Sequence, residues 1–337
     1  MNFKQLITIM VFALAFLNTH EAAAISCGDV ITTSTTLTHD LYCNSGYYAV
    51  EIGADNITLD LNGHTLSGTT DLAGVVVYGK NKVRIKGNGG GIKGFWAGVN
   101  SSGSNKLVIE DITFYELKTG VIVASGNEAV IQKNDFIYVE SDAVFIANFV
   151  EGNKANENAV KNNEFYKVGT GIQICGNDSD YNVLTDNLIW KSKNYGILIS
   201  RSDNNQISRN EILETEETAL RIDDSARNQI KSNELKVGNV GLSINSDSAG
   251  ACLATGITDS FKNIYQGNHT MGFNTGVTLG TGISANQVYG NQINFNKLYD
   301  NNTGIFFNSD TYLNNATSNA FSGTTTTIID WGSSNSY

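Results

Sequence analysis

The run Asn182-Val183-Leu184-Thr185-Asp186-Asn187-Leu188-Ile189 is the segment from which the architecture can be read, because the chain keeps repeating it. The same pattern, Asn-x-Φ-x-x-Asn-x-Φ with Φ mostly apolar, returns as NQISRNEI from Asn205 and NQIKSNEL from Asn228. Seven copies begin at Asn158, Asn182, Asn205, Asn228, Asn263, Asn286 and Asn314, and the first three steps are 24, 23 and 23 residues. A fixed period in this range marks a solenoid, whose stacked repeats present long groove-forming faces rather than one closed pocket.

A second pattern marks the same coils from another side. A small residue followed by an alternating apolar strand begins at Ala49, Gly74, Gly98, Gly120, Ala143, Gly171, Gly196, Ala219, Gly241, Gly276 and Gly304, as in GVIV, GIQI and GILI. Period-two alternation means strands with one buried face. Coils of this length, carrying two or three short strands, predict an all-β parallel β-helix of about 11 coils, stacked at about 4.8 Å. The paired asparagines then fall at corners, where Asn tolerates left-handed backbone and its amide can bond along the stack. Leucine-rich repeats need a Leu pattern that is absent, and no segment sustains a helical period.

The totals bound the setting. Lys4, an apolar run from Leu6 to Leu17 and then Ala22-Ala23-Ala24 predict a cleaved secretory signal over residues 1–24. A capping segment over 25–48 and the helix over 49–337 follow, with a long insertion near 247–263. No later run is apolar enough to cross a bilayer as a helix. The expected protein is therefore secreted, at the cell surface or in the periplasm, and monomeric. Cys27 and Cys43 bracket the capping segment and are expected to pair. A formal net charge of −11 argues against nucleic acid and anionic membranes. It also disfavours a polyanionic substrate unless a local basic groove or a bound cation reverses the field. The chain has no proline, which suits backbone hydrogen-bonded almost throughout.

The run from Ala54 to Gly68, ADNITLDLNGHTLSG, follows CGDVITTSTTLTHDLYC and precedes the coils. Together they resemble secreted right-handed parallel β-helix proteins, single-stranded solenoids of the pectin-lyase-like and NosD-like type. That resemblance implies the right hand of the helix and a carbohydrate setting. Its branches include polysaccharide lyases, glycosidases, epimerases and proteins without an assigned role, so it does not fix a reaction. The Asp-Pro-His-Asp signature of alginate epimerases is absent, as are the polygalacturonase motifs in their usual order.

If the apolar residues of each GΦxΦ strand point inward, the intervening ones form outward columns. Polar residues stack in them at Gln173, Arg221, Asp223 and Asn245. The following turns add Asp178, Asp180, Arg201, Asp203, Asp224, Asp247 and Asp310. In a carboxylate-lined cleft two acids can work on a glycosidic bond. Several can instead hold Ca²⁺, which would neutralise a uronate. Arg221, Asp223 and Asp224 are the catalytic candidates. Gln173, Arg201, Asp203, Asn245 and Asp247 are the candidates for binding polysaccharide. The competing reading makes the turn acids Asx caps of their own backbone and Arg221 with Asp223 an ion pair. Cys175 lies by register beside this cleft, and a bridge to Cys252 would fold the long insertion across it. Tyr166, Trp190 and Tyr195 are among the aromatics that could stack on sugars, or on their neighbours. Two functions follow: an enzyme cleaving polysaccharide by elimination or hydrolysis, and a non-catalytic glycan-binding, adhesin or NosD-like accessory protein.

Overall fold

Glycine or alanine opens each GΦxΦ strand for a steric reason. A Cβ built on Gly196 would stand 2.4 Å from Ile212 Cγ2 and 2.5 Å from the Ala219 carbonyl oxygen, so only the smallest residues fit between core and neighbouring turn. From that tight start the chain alternates. Ile197 and Ile199 are fully buried, and the same inward pair recurs as Val121 with Val123 and Leu220 with Ile222. Phe114, Phe136 and Phe165 stack in the core at 4.7 and 4.9 Å with nearly parallel planes.

The computed structural model describes residues 25–148, 153–246, 259–281 and 287–337. These form a right-handed parallel β-solenoid of about 12 turns, with no α-helix among the described residues. The motif count of 11 misses ends that lack the pattern. Asp29–Ile31 adds a strand against Val50–Ile52 at one end, and Thr326–Asp330 adds one against the strand Thr303–Phe307 at the other. The strands form an 11-stranded sheet, a 20-stranded sheet and a small three-stranded sheet. Glu164–Cys175, Leu188–Ser200, Glu211–Asp223, Glu234–Asn245 and His269–Leu279 each bend through a corner of the large sheet as one strand.

Register follows the expected columns. Ile122, Phe145, Gln173, Leu198, Arg221, Ser243, Thr278 and Phe306 pair in succession. Beside them run Ala147, Cys175, Ser200, Asp223 and Asn245.

Both asparagines of the repeat form buried ladders. One runs through Asn158, Asn182, Asn205, Asn228, Asn263, Asn291, Asn314 and Asn335. The other runs from Asn134 through Asn163, Asn187, Asn210, Asn233, Asn268 and Asn296 to Asn319. At each rung the Oδ1 of one turn accepts the backbone N–H of the preceding asparagine, and usually its amide as well. Asn187 donates to Asn210 Oδ1 from N at 3.1 Å and from Nδ2 at 2.9 Å, and Nδ2 also reaches the Val160 carbonyl at 2.9 Å. Such buried amides are stable only because every rung satisfies the next.

Two expectations are corrected here. The left-handed residue at these corners is not the ladder asparagine but the one before it, such as Asp186, Arg209 and Ser232, at φ 57°, 55° and 57°. Turning the chain one residue early aims the asparagine inward, where its amide meets the stack. The sixth repeat copy is also shifted: the ladders pass through Asn291 and Asn296, while Asn286 lies outside the described residues. Both NQVYGNQI and NQINFNKL fit the pattern, and strand pairing selects the second.

Cys27 and Cys43 form the expected disulfide, with Cα atoms 5.6 Å apart. Among the described residues no cysteine is free, and Cys175 is disulfide-bonded. Cys252, its expected partner, and the signal segment 1–24 lie outside the described residues, as does Asp247. No helix among the described residues is long and apolar enough to cross a membrane.

Candidate functional site

Strand pairing brings the predicted residues together, and most of them are buried. Asp223 is 1% exposed, and Arg221 Nε donates to both its carboxylate oxygens at 2.9 and 2.7 Å. Arg221 Nη1 reaches Tyr195 Oη at 3.3 Å, with the guanidinium carbon 5.5 Å from the ring centre. Burial pushes the Tyr195 phenol above its usual range, and Arg221 opposes that shift. Asn245 is buried, and so is Gln173, whose Nε2 has no hydrogen-bond partner among the described residues. Of the strand residues proposed for chemistry, Arg221 alone keeps appreciable exposure, 18% of its side chain.

The turn acids act on backbone. Asn156 Oδ1 accepts the Asp180 N–H, Asp180 Oδ1 accepts that of Asp203, and Asp203 Oδ1 accepts that of Ala226, each at 2.7 Å. Asp55, Asn81, Asn105 and Asn127 begin the same series. Asp180 and Asp203 thus cap the backbone of the following turn rather than their own, as an Asx turn would, and Asp203 also pairs with Arg227 at 2.5 Å. Arg201 and Asp224 form a second pair at 3.4 Å with almost no exposure, both on left-handed backbone. Asp178, Asp180, Arg201, Asp203 and Asp224 do line one cavity, of about 300 Å³, with Phe261 at its edge. Among the described residues no group of three or more His, Cys, Asp or Glu side chains is placed to hold a metal ion.

A larger opening lies around the corner that the long strands cross. A cavity of about 790 Å³ runs over several turns, lined by Lys167, Lys191, Lys193, Glu140, Glu214 and Glu216 around Val139, Val168 and Val237. Its cause is local. From the inward corner residue to the small residue that opens the strand, most turns take three steps, as from Val168 to Gly171. Three turns take four: Val139 to Ala143, Ser192 to Gly196 and Thr215 to Ala219. The pairing register shifts at the latter two. The inserted length carries Glu140, Lys193 and Glu216, and such bulges re-aim side chains where a regular sheet would be flat.

Aromatic rings stand beside this cavity. Tyr138 lies 5.6 Å from Tyr115 and 5.9 Å from Tyr166, which in turn lies 4.9 Å from Trp190. Tyr138 and Trp190 are 42% and 39% exposed. Lys93, Lys167 and Lys191 place ammonium groups about 5 Å from rings of this series. Tyr166 and Trp190 were legible as candidates, but the cavity and its lysines were not. One acid stands close by in sequence and register: Asp142 follows Glu140 and pairs through Thr170 to Tyr195. Burial pushes its carboxyl up to about 6, opposed by hydrogen bonds from Ser141 and Thr170.

Residues 97–256 match the family model described as the right handed beta helix region. Solved structures with the same fold include the A-module of the mannuronan C-5 epimerase AlgE4 of Azotobacter vinelandii. It has a TM-score of 0.69 and 12% identity, over 90% of each chain. The exopolygalacturonase of Thermotoga maritima gives 0.59 and 10%, over 87% of this chain and 84% of that one. The tailspike of E. coli bacteriophage HK620, solved with a pentasaccharide, gives 0.66 and 12%, and this chain spans 88% of itself but 60% of the tailspike. At such identities the likeness defines the class, a right-handed parallel β-helix protein, and no activity. No curated protein matches the sequence.

Proposed function

We propose that this is a secreted, carbohydrate-active β-helix protein that holds a polysaccharide along the outer corner of its solenoid. The observation that carries the reading is the aromatic series next in sequence to the lining of an open cavity that spans several turns: Tyr138 with Glu140, Tyr166 with Lys167, Trp190 with Lys191 and Lys193, and then Glu214 and Glu216. Sugars present apolar ring faces rimmed by hydroxyls, so aromatic planes flanked by charged hydrogen-bonding groups suit them. The mannuronan epimerase, exopolygalacturonase and pentasaccharide-bound tailspike that share the fold support that setting. Secretion is supported by the Cys27–Cys43 disulfide, which belongs to an oxidising compartment.

For chemistry, Asp142 is a carboxyl that burial lets keep its proton up to about pH 6, and Arg221 with Tyr195 supplies a charged donor pair that begins two strands along the same sheet. Hydrolysis would use Asp142 to protonate the leaving oxygen while a water adds to the anomeric carbon and gives up a proton, whereas elimination would use Arg221 or Tyr195 to take the C5 proton of a uronate as the C4–O bond breaks and its oxygen is protonated. A second reading, a glycan-binding protein without turnover, is favoured by one observation: the only exposed member of the predicted catalytic set is already tied to Asp223 through both carboxylate oxygens. Incubation with a panel of polysaccharides separates these. New reducing ends indicate a hydrolase, unsaturated uronate absorbance a lyase, and retention without products a binding protein. The absence of both retention and products with every polysaccharide refutes the proposal.

A further inference from the structure

We infer that the polysaccharide held at this corner is uncharged, and that it runs along the helix axis with one sugar facing each turn. The inference rests on the proposed function and narrows it to a substrate class. Three lysines and three glutamates line the cavity, so its formal charges cancel. Lys191 is already neutralised in part by Glu214 at 3.7 Å, and the chain as a whole carries −11. A polyanion approaching this corner would meet no net attraction and a repulsive surround. Carboxylates and ammonium groups side by side instead accept from and donate to sugar hydroxyls, which serve as both donors and acceptors. Geometry sets the direction. Tyr138, Tyr166 and Trp190 come from three successive turns with centroids 5.9 and 4.9 Å apart and planes turned 61° and 46° from one another, so each turn offers the edge or face of one ring at a spacing close to the length of one sugar unit. Added residues widen the corner on the turns of Tyr138 and Trp190, at Glu140 and Lys193, and on the next turn at Glu216, while the turn of Tyr166 between them has none.

The test is affinity electrophoresis of the full chain in gels containing dextran, galactomannan, xyloglucan or mixed-linkage β-glucan, against gels containing polygalacturonate or alginate. Retardation is expected in at least one neutral gel and none in the acidic gels, and it should persist when salt is raised from low to high. Trp190→Ala should weaken it about tenfold, the loss of one stacking contact, and Trp190→Phe should restore most of it. Circular dichroism of the variants shows whether the fold is kept, and should Trp190→Ala misfold, Tyr138→Ala replaces it. Retardation confined to acidic gels and abolished by salt overturns the neutral class while leaving a polysaccharide protein. Retardation in neutral gels that folded Trp190→Ala leaves intact overturns the location. No retardation in any gel removes both the inference and the function on which it rests.

Discussion

Replacing Asn210 by alanine should be among the most damaging single changes in the chain, although it removes only an amide. Asn210 Oδ1 accepts Asn187 N at 3.1 Å and Asn187 Nδ2 at 2.9 Å. Its own Nδ2 donates to the Leu184 carbonyl at 3.0 Å and to Asn233 Oδ1 at 3.0 Å. Every one of these groups is buried, so water cannot replace the lost partners. An orphaned buried polar group costs about 1–3 kcal/mol, and truncation strands at least the Asn187 N–H and weakens the Leu184 carbonyl, giving about 3–4 kcal/mol. Asn274 supplies the control. It belongs to an exposed stack with Asn239 and Asn302, and Asn274→Ala should cost at most about 0.5 kcal/mol. Urea unfolding followed by far-ultraviolet circular dichroism gives both values, and hydrogen exchange at the Asn187 amide locates the damage. Asn210→Asp adds a pH signature. A carboxylate facing a carbonyl in a dry site has a raised folded pKa, so the variant is least impaired below the unfolded pKa and loses stability as pH rises through the folded value. Equal, small losses for Asn210→Ala and Asn274→Ala would refute the claim that buried amide ladders hold the solenoid together.

Further outcomes follow from the same geometry. Asn291→Ala should cost about as much as Asn210→Ala, because the ladder passes through it, and a loss below about 1 kcal/mol would place the repeat in another register. Asp142, with a folded pKa raised to about 6 from 3.8, contributes stability below about pH 4 that is lost as pH rises through 6. Asp142→Asn should therefore flatten the pH dependence, gaining up to about 3 kcal/mol relative to wild type at pH 8, and an unchanged profile would contradict the buried acid. Unreduced, denatured protein should show no reactive thiol, since Cys27 pairs with Cys43 and Cys175 is also bonded, whereas two thiols would exclude the proposed Cys175–Cys252 bridge.

The solenoid was readable because its physics repeats. Each GΦxΦ strand needs a small first residue and an inward pair, and each corner needs an amide, so the requirements recur at every turn. The outward columns were readable for the same reason, down to the pairing of Leu198 with Arg221 and Ser200 with Asp223. Their burial was not, because alternation says which way a side chain points and nothing of what lies over it. Asp223 points outward and is still 1% exposed. The cavity escaped because it depends on a single added residue between corner and strand. Lys193 and Glu216 fall where the register slips, and Lys167, Lys191 and Glu214 hold left-handed backbone without the Gly or Asn that normally announces it. The countable signal was there: four steps from Ser192 to Gly196 against three from Val168 to Gly171.

The central claim is that a polysaccharide lies against the aromatic corner, and Trp190 reports on it directly. Its indole is 39% exposed beside Lys191, whose ammonium sits 4.8 Å from the ring. Polysaccharide binding should shift and quench the fluorescence of wild-type protein, and the saturable part of that change should vanish in a folded Trp190→Phe variant that still binds in the gel. A ligand that is retained by the protein but leaves the Trp190 signal untouched would contradict the account.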